Sequence, residues 1–362
     1  MNRLAVVLTL FAALGTWGCT KEAQPPGGSF SSSPGAAPPA ASPPPSLATY
    51  FAPETSGVDT AGVRLVPIRT PTGTFNVWTK RFGRHPRIKL LLLHGGPGAT
   101  HEYFEGLETF LGAEGIEFVY YDQLGSAYSD QPNDAALWTT ERFVDEVEQV
   151  RQALGFGKDD FYLLGHSWGG ILAVEYALKH QQHLKGLVVS NMMMSIPDYN
   201  RYANEVLARG MDPAVVTEVR ALEQKGLYES PRYMELLTPN FYAKHICRLD
   251  PWPDAVNRAF AKLNKQVYVL MQGPSEFGAS GRLERWDRKA DLGSITVPTL
   301  VVGATHDTMD PEHMRWVSTQ VRNGRFLLCP NGSHMAMWDD QRTYATGVIN
   351  FLKDVDAGRF GR

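Results

Sequence analysis

The stretch FYLLGHSWGGILAVEYALKH, residues 161–180, contains the change of period that decides the fold. Residues 161–164 form a short apolar run of strand type, and residues 169–180 continue as a helix directly behind it. Between them stands Gly165-His166-Ser167-Trp168-Gly169, a Gly-x-Ser-x-Gly pentapeptide. By itself such a pattern arises by chance about 0.1 times in a chain of ordinary glycine content. Its position between strand and helix makes it specific. A serine on a sharp strand-to-helix turn is exposed, and flanking glycines let the strained turn close without Cβ clashes. The helix N-terminus behind the serine favours negative charge developing there.

Outward from this point the chain alternates strands and helices. Residues 89–93 are continuously apolar, as a buried central strand requires. Residues 117–121, 187–190, 299–302 and 326–329 follow in the same style, and Thr70-Pro71-Thr72-Gly73 joins runs 63–69 and 75–80 as a hairpin. Residues 140–154 place Phe143, Val147, Val150 and Leu154 at helical spacing. The expectation is an α/β fold: a mostly parallel eight-stranded sheet with helices on both faces. Residues 195–289 break the alternation with a helical pattern, in which Asp212-Pro213 reads as N-cap and first turn. They are expected to form a cap inserted between core segments 47–194 and 290–362. The cap would lie over the C-terminal edge of the sheet, where open α/β sheets bind their ligands.

Serine is a weak nucleophile at neutral pH, so Ser167 needs a base, and the base needs an orienting acid. The last two strands lead into Gly303-Ala304-Thr305-His306-Asp307 and Pro330-Asn331-Gly332-Ser333-His334. Asp307 is therefore expected as the acid and His334 as the base, with Asp310 the alternative acid and His306 a neighbour. His94-Gly95-Gly96-Pro97-Gly98 follows strand 89–93. The N–H groups of Gly96 and Trp168 are the expected pair of oxyanion donors. His94 and His101 have no partner at ligand spacing, so no metal is expected, and the chemistry calls for no organic cofactor.

Composition narrows the rest. With 35 Lys+Arg against 38 Asp+Glu in 362 residues, the net charge of −3 excludes a broad basic surface for nucleic acid. Three cysteines exclude a disulfide scaffold and a four-cysteine zinc site, and Cys247 and Cys329 are expected as free thiols. Residues 1–19 pair Arg3 with an apolar run too short to span a bilayer, as a signal peptide does. The run Gly15-Thr16-Trp17-Gly18-Cys19 resembles the lipobox of bacterial lipoproteins, although Thr16 and Trp17 depart from its usual pattern. That resemblance implies an acylated Cys19 and an exported, membrane-anchored protein, with plain secretion as the alternative. Residues 20–46 are Pro, Gly, Ala and Ser with almost no large apolar residue, a composition suited to a disordered tether.

From about residue 70 to the C-terminus the sequence resembles the proline iminopeptidase branch of the α/β-hydrolases, including the tricorn-interacting aminopeptidases. The resemblance rests on His94–Gly98, Asp122-Gln123-Leu124-Gly125-Ser126, Gly165–Gly170, Gly273-Pro274-Ser275-Glu276-Phe277 and Gly332-Ser333-His334, in that order. It implies release of one N-terminal residue, often proline, from a short peptide or amide. It also implies that Glu276 seats the free amine of the substrate. Two departures stand out. Thr308 occupies a position where many relatives carry a second acid, which leaves broader amidase or esterase activity open, and Ala127 stands where relatives usually have glycine. The cap aromatics Phe241, Tyr242, Trp252 and Phe277 are candidates either for an apolar pocket or for the cap's own core.

Overall fold

The computed structural model describes residues 61–85 and 87–361. The expected signal peptide, Cys19, the tether and residues 47–60 lie outside the described residues. Eight strands follow in chain order: β1 (Val63–Thr70), β2 (Gly73–Phe82), β3 (Lys89–Leu93), β4 (Glu117–Asp122), β5 (Phe161–His166), β6 (Gly186–Ser190), β7 (Thr299–Ala304) and β8 (Gly324–Cys329). They form one sheet in the order β1-β2-β4-β3-β5-β6-β7-β8. The β1–β2 and β2–β4 pairs are antiparallel, and every other neighbouring pair is parallel. Thr70 pairs with Gly73, so the hairpin turns on Pro71 and Thr72 alone.

The two-residue period of the strands sorts the core into two layers. Leu91, Leu93, Leu163, Val189 and Val301 face one layer, shared with the helices Thr140–Leu154 and Trp168–His180. Leu90, Leu92, Leu164, Val188 and Val302 face the other, where Tyr344, Val348 and Leu352 of the helix Gln341–Asp356 pack. A sheet apolar on both faces must be covered on both, which the intervening helices accomplish. The helix Thr140–Leu154 buries Phe143, Val147, Val150 and Leu154, is capped by the Thr139 hydroxyl, and ends on Gly155 at φ +69°.

Between β6 and β7 the regular elements are helices, among them Ile196–Tyr202, Pro213–Gln224, Pro231–Leu237, Asp254–Ala261 and Lys265–Met271. Asp212 accepts the Ala214 N–H at 2.8 Å with Pro213 in the first turn. Tyr233, Leu237, Phe241 and Val256 of this region share a core layer with the sheet. The loops leaving β3, β5, β7 and β8 at their C-terminal ends carry Gly96, Ser167, Asp307 and His334, so parallel strand order alone gathers distant residues at one edge.

Candidate active site

Ser167 sits at φ +56°, ψ −127°, a conformation that L-residues rarely adopt, at the junction of β5 and the helix Trp168–His180. The crossing of chains there explains the two glycines. A Cβ on Gly165 would stand 1.9 Å from the Gly169 carbonyl oxygen, and one on Gly169 would stand 2.1 Å from that of Leu93. The Ser167 N–H donates to the Ser190 carbonyl at 3.0 Å, which ties the turn to the end of β6.

His334 Nδ1 lies 2.7 Å from Asp307 Oδ1, with both side chains buried. The other carboxylate oxygen accepts the Asn191 amide at 2.7 Å, and Asn191 holds its side chain there from φ +53° just beyond β6. The Thr308 hydroxyl is 3.3 Å from both Asp307 Oδ1 and His334 Nδ1, so this position adds a dipole beside the pair and no second charge. Burial works to lower the His334 pKa, but the Asp307 carboxylate, by charge and hydrogen bond, and then Glu276 carry it above the usual histidine value.

The N–H groups of Gly96 and Trp168 donate to no acceptor among the described residues. Gln123 braces both segments: its amide donates to the His94 carbonyl at 3.0 Å and its oxygen accepts the Trp168 indole N–H at 2.8 Å. Gly96 takes φ +40°, with the Tyr268 ring packed 3.4 Å from where its Cβ would be. Tyr268 in turn donates to Glu276 Oε1 at 2.5 Å. The Tyr199 hydroxyl donates to the Glu276 carbonyl, and the Glu276 N–H donates to Tyr242 Oη at 3.2 Å. Three tyrosines thus fix this glutamate in place.

One cavity of ≈ 300 Å³ is lined by Gly96, Ser167, His334 and Glu276, with Tyr242, Phe260, Tyr268 and Met335 among its apolar walls. It brings a hydroxyl, an imidazole and a carboxylate to one apolar space, the combination needed to attack a carbonyl beside a positive charge.

The other residues singled out in the sequence take the following places. Asp310 is a helix cap, its Oδ1 accepting the Glu312 N–H at 2.9 Å ahead of Pro311, and it does not line the cavity. His306 bonds through its main chain to Gly332 and His245. His94 is a neutral core histidine: Nδ1 faces the Gly95 carbonyl, Nε2 accepts the Gln123 N–H, and burial lowers its pKa to about 4. His101 is held by Asp122 at 2.8 Å and stacked on Trp78. Of the four cap aromatics only Tyr242 lines the cavity, whereas Phe241 and Phe277 pack on each other, rings 5.0 Å apart. Ala127 holds φ +32°, the left-handed region that glycine adopts without strain. Cys247 and Cys329 are free and buried. Sequence assigns no role to Asn191, Tyr103 and Tyr268, which stand in no motif, or to Gln123 and His166, which stand inside two motifs whose spacing does not say what their side chains touch.

Fold and site together define the class: the chain is an α/β hydrolase, and residues 89–341 match the family of the alpha/beta hydrolase fold. It is 62% identical over 292 residues to the proline iminopeptidase of Flavobacterium johnsoniae, a match covering 81% of this chain and 98% of the relative. To the proline iminopeptidase of Elizabethkingia meningoseptica it is 61% identical over 298 residues, covering 82% and 100%. Among solved structures, the proline iminopeptidase of Mycobacterium smegmatis superposes with a TM-score of 0.72 at 29% identity, covering 82% of this chain and 99% of that one. The crystal structure of VinJ superposes with a TM-score of 0.75 at 28% identity, covering 81% and 99%. The chain belongs to the proline iminopeptidase family.

Proposed function

We propose that this protein is a serine aminopeptidase that releases an N-terminal residue, proline foremost, from short peptides and amides through an acyl-enzyme. The observation that carries this reading is that Glu276 lines the same cavity as Ser167 and His334. The substrate ammonium pairs with Glu276, which sets the adjoining carbonyl over the serine. His334 takes the Ser167 proton as the hydroxyl oxygen bonds to the carbonyl carbon, and Asp307 stabilises the imidazolium. The N–H groups of Gly96 and Trp168 hold the oxyanion. His334 then protonates the departing amine, and water, deprotonated by the same imidazole, frees the N-terminal residue and restores the serine.

An arylamide panel tests the amine seat. Glu276→Ala is expected to lower kcat/KM on free prolyl arylamide by roughly 10²–10³-fold, the cost of removing one partner of a buried charge pair, and to leave N-acetylated substrates little changed. Equal turnover of blocked and free substrates by the native enzyme would overturn the seat. Thr308, with no charge of its own beside Asp307, favours a second reading, a broader amidase or esterase on the same residues. Turnover of p-nitrophenyl acetate alone would establish that reading instead. This ester carries no amine, so it also reports His334 directly. The base must be neutral to act, so kcat/KM falls as pH drops through a pKa held above the ordinary histidine value. Glu276→Gln removes one of the charges raising that pKa and moves the acid limb to lower pH.

We further propose export and acylation at Cys19, supported by the composition of residues 1–46. Acyl chains contribute about 0.8 kcal/mol per buried methylene, enough in multiple to hold an enzyme on a membrane. Cys19→Ser should move the protein from the membrane fraction to the soluble one. A native protein recovered wholly soluble would reject the anchor.

A further inference from the structure

Along the wall of the cavity, through Gly95, Tyr103, His166 and His334, runs a chain of hydrogen bonds whose direction is forced at each step. The Gly95 N–H donates to the Tyr103 hydroxyl. Having accepted there, Tyr103 points its one proton at His166 Nδ1, 3.1 Å away. The His334 carbonyl, 2.8 Å from His166 Nε2, can only accept, so Nε2 carries the proton of a neutral imidazole. All four residues are buried. Burial pushes the His166 pKa down to about 3 and that of Tyr103 well up, so neither side chain changes charge over the working range. Tyr103 and His334 are also anchored through their main chains. The Trp338 indole donates to the Tyr103 carbonyl at 2.7 Å, and the His334 N–H donates to the His245 carbonyl at 2.9 Å.

The residues joined in this way adjoin the reacting groups. Gly95 precedes Gly96, His166 precedes Ser167, and the third member is His334 itself. A Cβ on Gly95 would lie 2.6 Å from the Ser167 Cβ, so the glycine loop and the serine turn are already in close contact. Two uncharged side chains therefore connect the three loops that carry the oxyanion donor, the nucleophile and the base. We infer that Tyr103 and His166 are positioning residues that hold these three loops in a single geometry and so govern turnover rather than substrate affinity. The inference rests on the roles proposed above for Ser167, Gly96 and His334.

Displacing a reacting group by about 1 Å costs on the order of 10²-fold in rate. His166→Phe fills the same space without a donor for the His334 carbonyl, whereas His166→Gln can return an amide N–H to that position. With prolyl arylamide as probe, His166→Phe is expected to lose on the order of 10²-fold in kcat, with KM within about twofold of the native value. His166→Gln is expected to recover at least about tenfold of that loss, and Tyr103→Phe to lose about tenfold or more in kcat. Thermal melts accompany each variant. A purely structural role would show as equal turnover in the Gln and Phe variants, or as a loss confined to KM, and either result overturns the inference. If His166→Phe does not fold, an undiminished kcat in Tyr103→Phe overturns it equally. Ser167→Ala separates this inference from the reading beneath it. An inactive alanine variant beside unaffected Tyr103 and His166 variants rejects the positioning role alone, while an active one rejects the mechanism itself.

Discussion

Ser167→Ala lowers kcat on a prolyl arylamide by at least about 10⁴-fold while the protein stays folded. The size of the effect follows from the lack of a replacement nucleophile. Cys247 and Cys329 are buried, and burial pushes the Cys247 thiol up to about 11 and that of Cys329 up as well, so neither is a thiolate at neutral pH. Thr308 is buried against Asp307 and His334. The residual rate comes from binding and the oxyanion donors, which survive the substitution. The fold survives because serine and alanine both carry a Cβ, and the turn at φ +56° strains both alike. Steady-state kinetics beside a thermal melt check both statements, and a variant retaining about 1% of native turnover would require a different nucleophile.

Gly169→Ala is expected to cost a large part of the protein's stability. Its Cβ would lie 2.1 Å from the Leu93 carbonyl oxygen and 2.8 Å from that of His94. Both are main-chain atoms, at the end of the central strand β3, so no side chain can swing aside to make room. Relief requires the helix Trp168–His180 to lift from the sheet, which opens the core layer holding Ile171, Leu172 and Val174. The cost should exceed about 4 kcal/mol, a large part of the 5–15 kcal/mol that holds a typical domain together. A fall of roughly 10 °C or more in Tm is expected, or no soluble protein at all. Gly112→Ala is the control. Nothing lies within 4 Å of its added Cβ, and alanine in the helix Glu108–Ala113 should be neutral or stabilising by up to about 1 kcal/mol. Equal melting of the native and Gly169→Ala proteins would remove the steric account of the pentapeptide.

Much of the site was legible because its signals are local. The eight strands, the turn at Ser167 and the loops bearing Asp307 and His334 follow from short-range period and glycine spacing. Asp310 shows a local signal passed over: Asp310-Pro311 carries the same cap-and-proline signature as Asp212-Pro213, and both aspartates cap helices. Long-range partnerships carry no such mark. Asn191 reaches Asp307 across 116 residues, and the His166–His334 bond spans 168. Aromatic type did not separate Tyr242, at the cavity, from Phe241 beside it, which faces Phe277.

The opening stretch of residues 161–180 by itself determined that a serine would stand on a tight strand-to-helix turn, because a change of period and two small residues act over a few bonds. Only the tertiary structure decided what surrounds that serine. The Asn191 brace on Asp307 and the Tyr103–His166 chain come from segments that meet only when parallel strands are ordered side by side, and the three tyrosines meet Glu276 through the packing of the helical region between β6 and β7. Buried polar groups need partners wherever the fold places them, and no local pattern encodes which distant residue will be there.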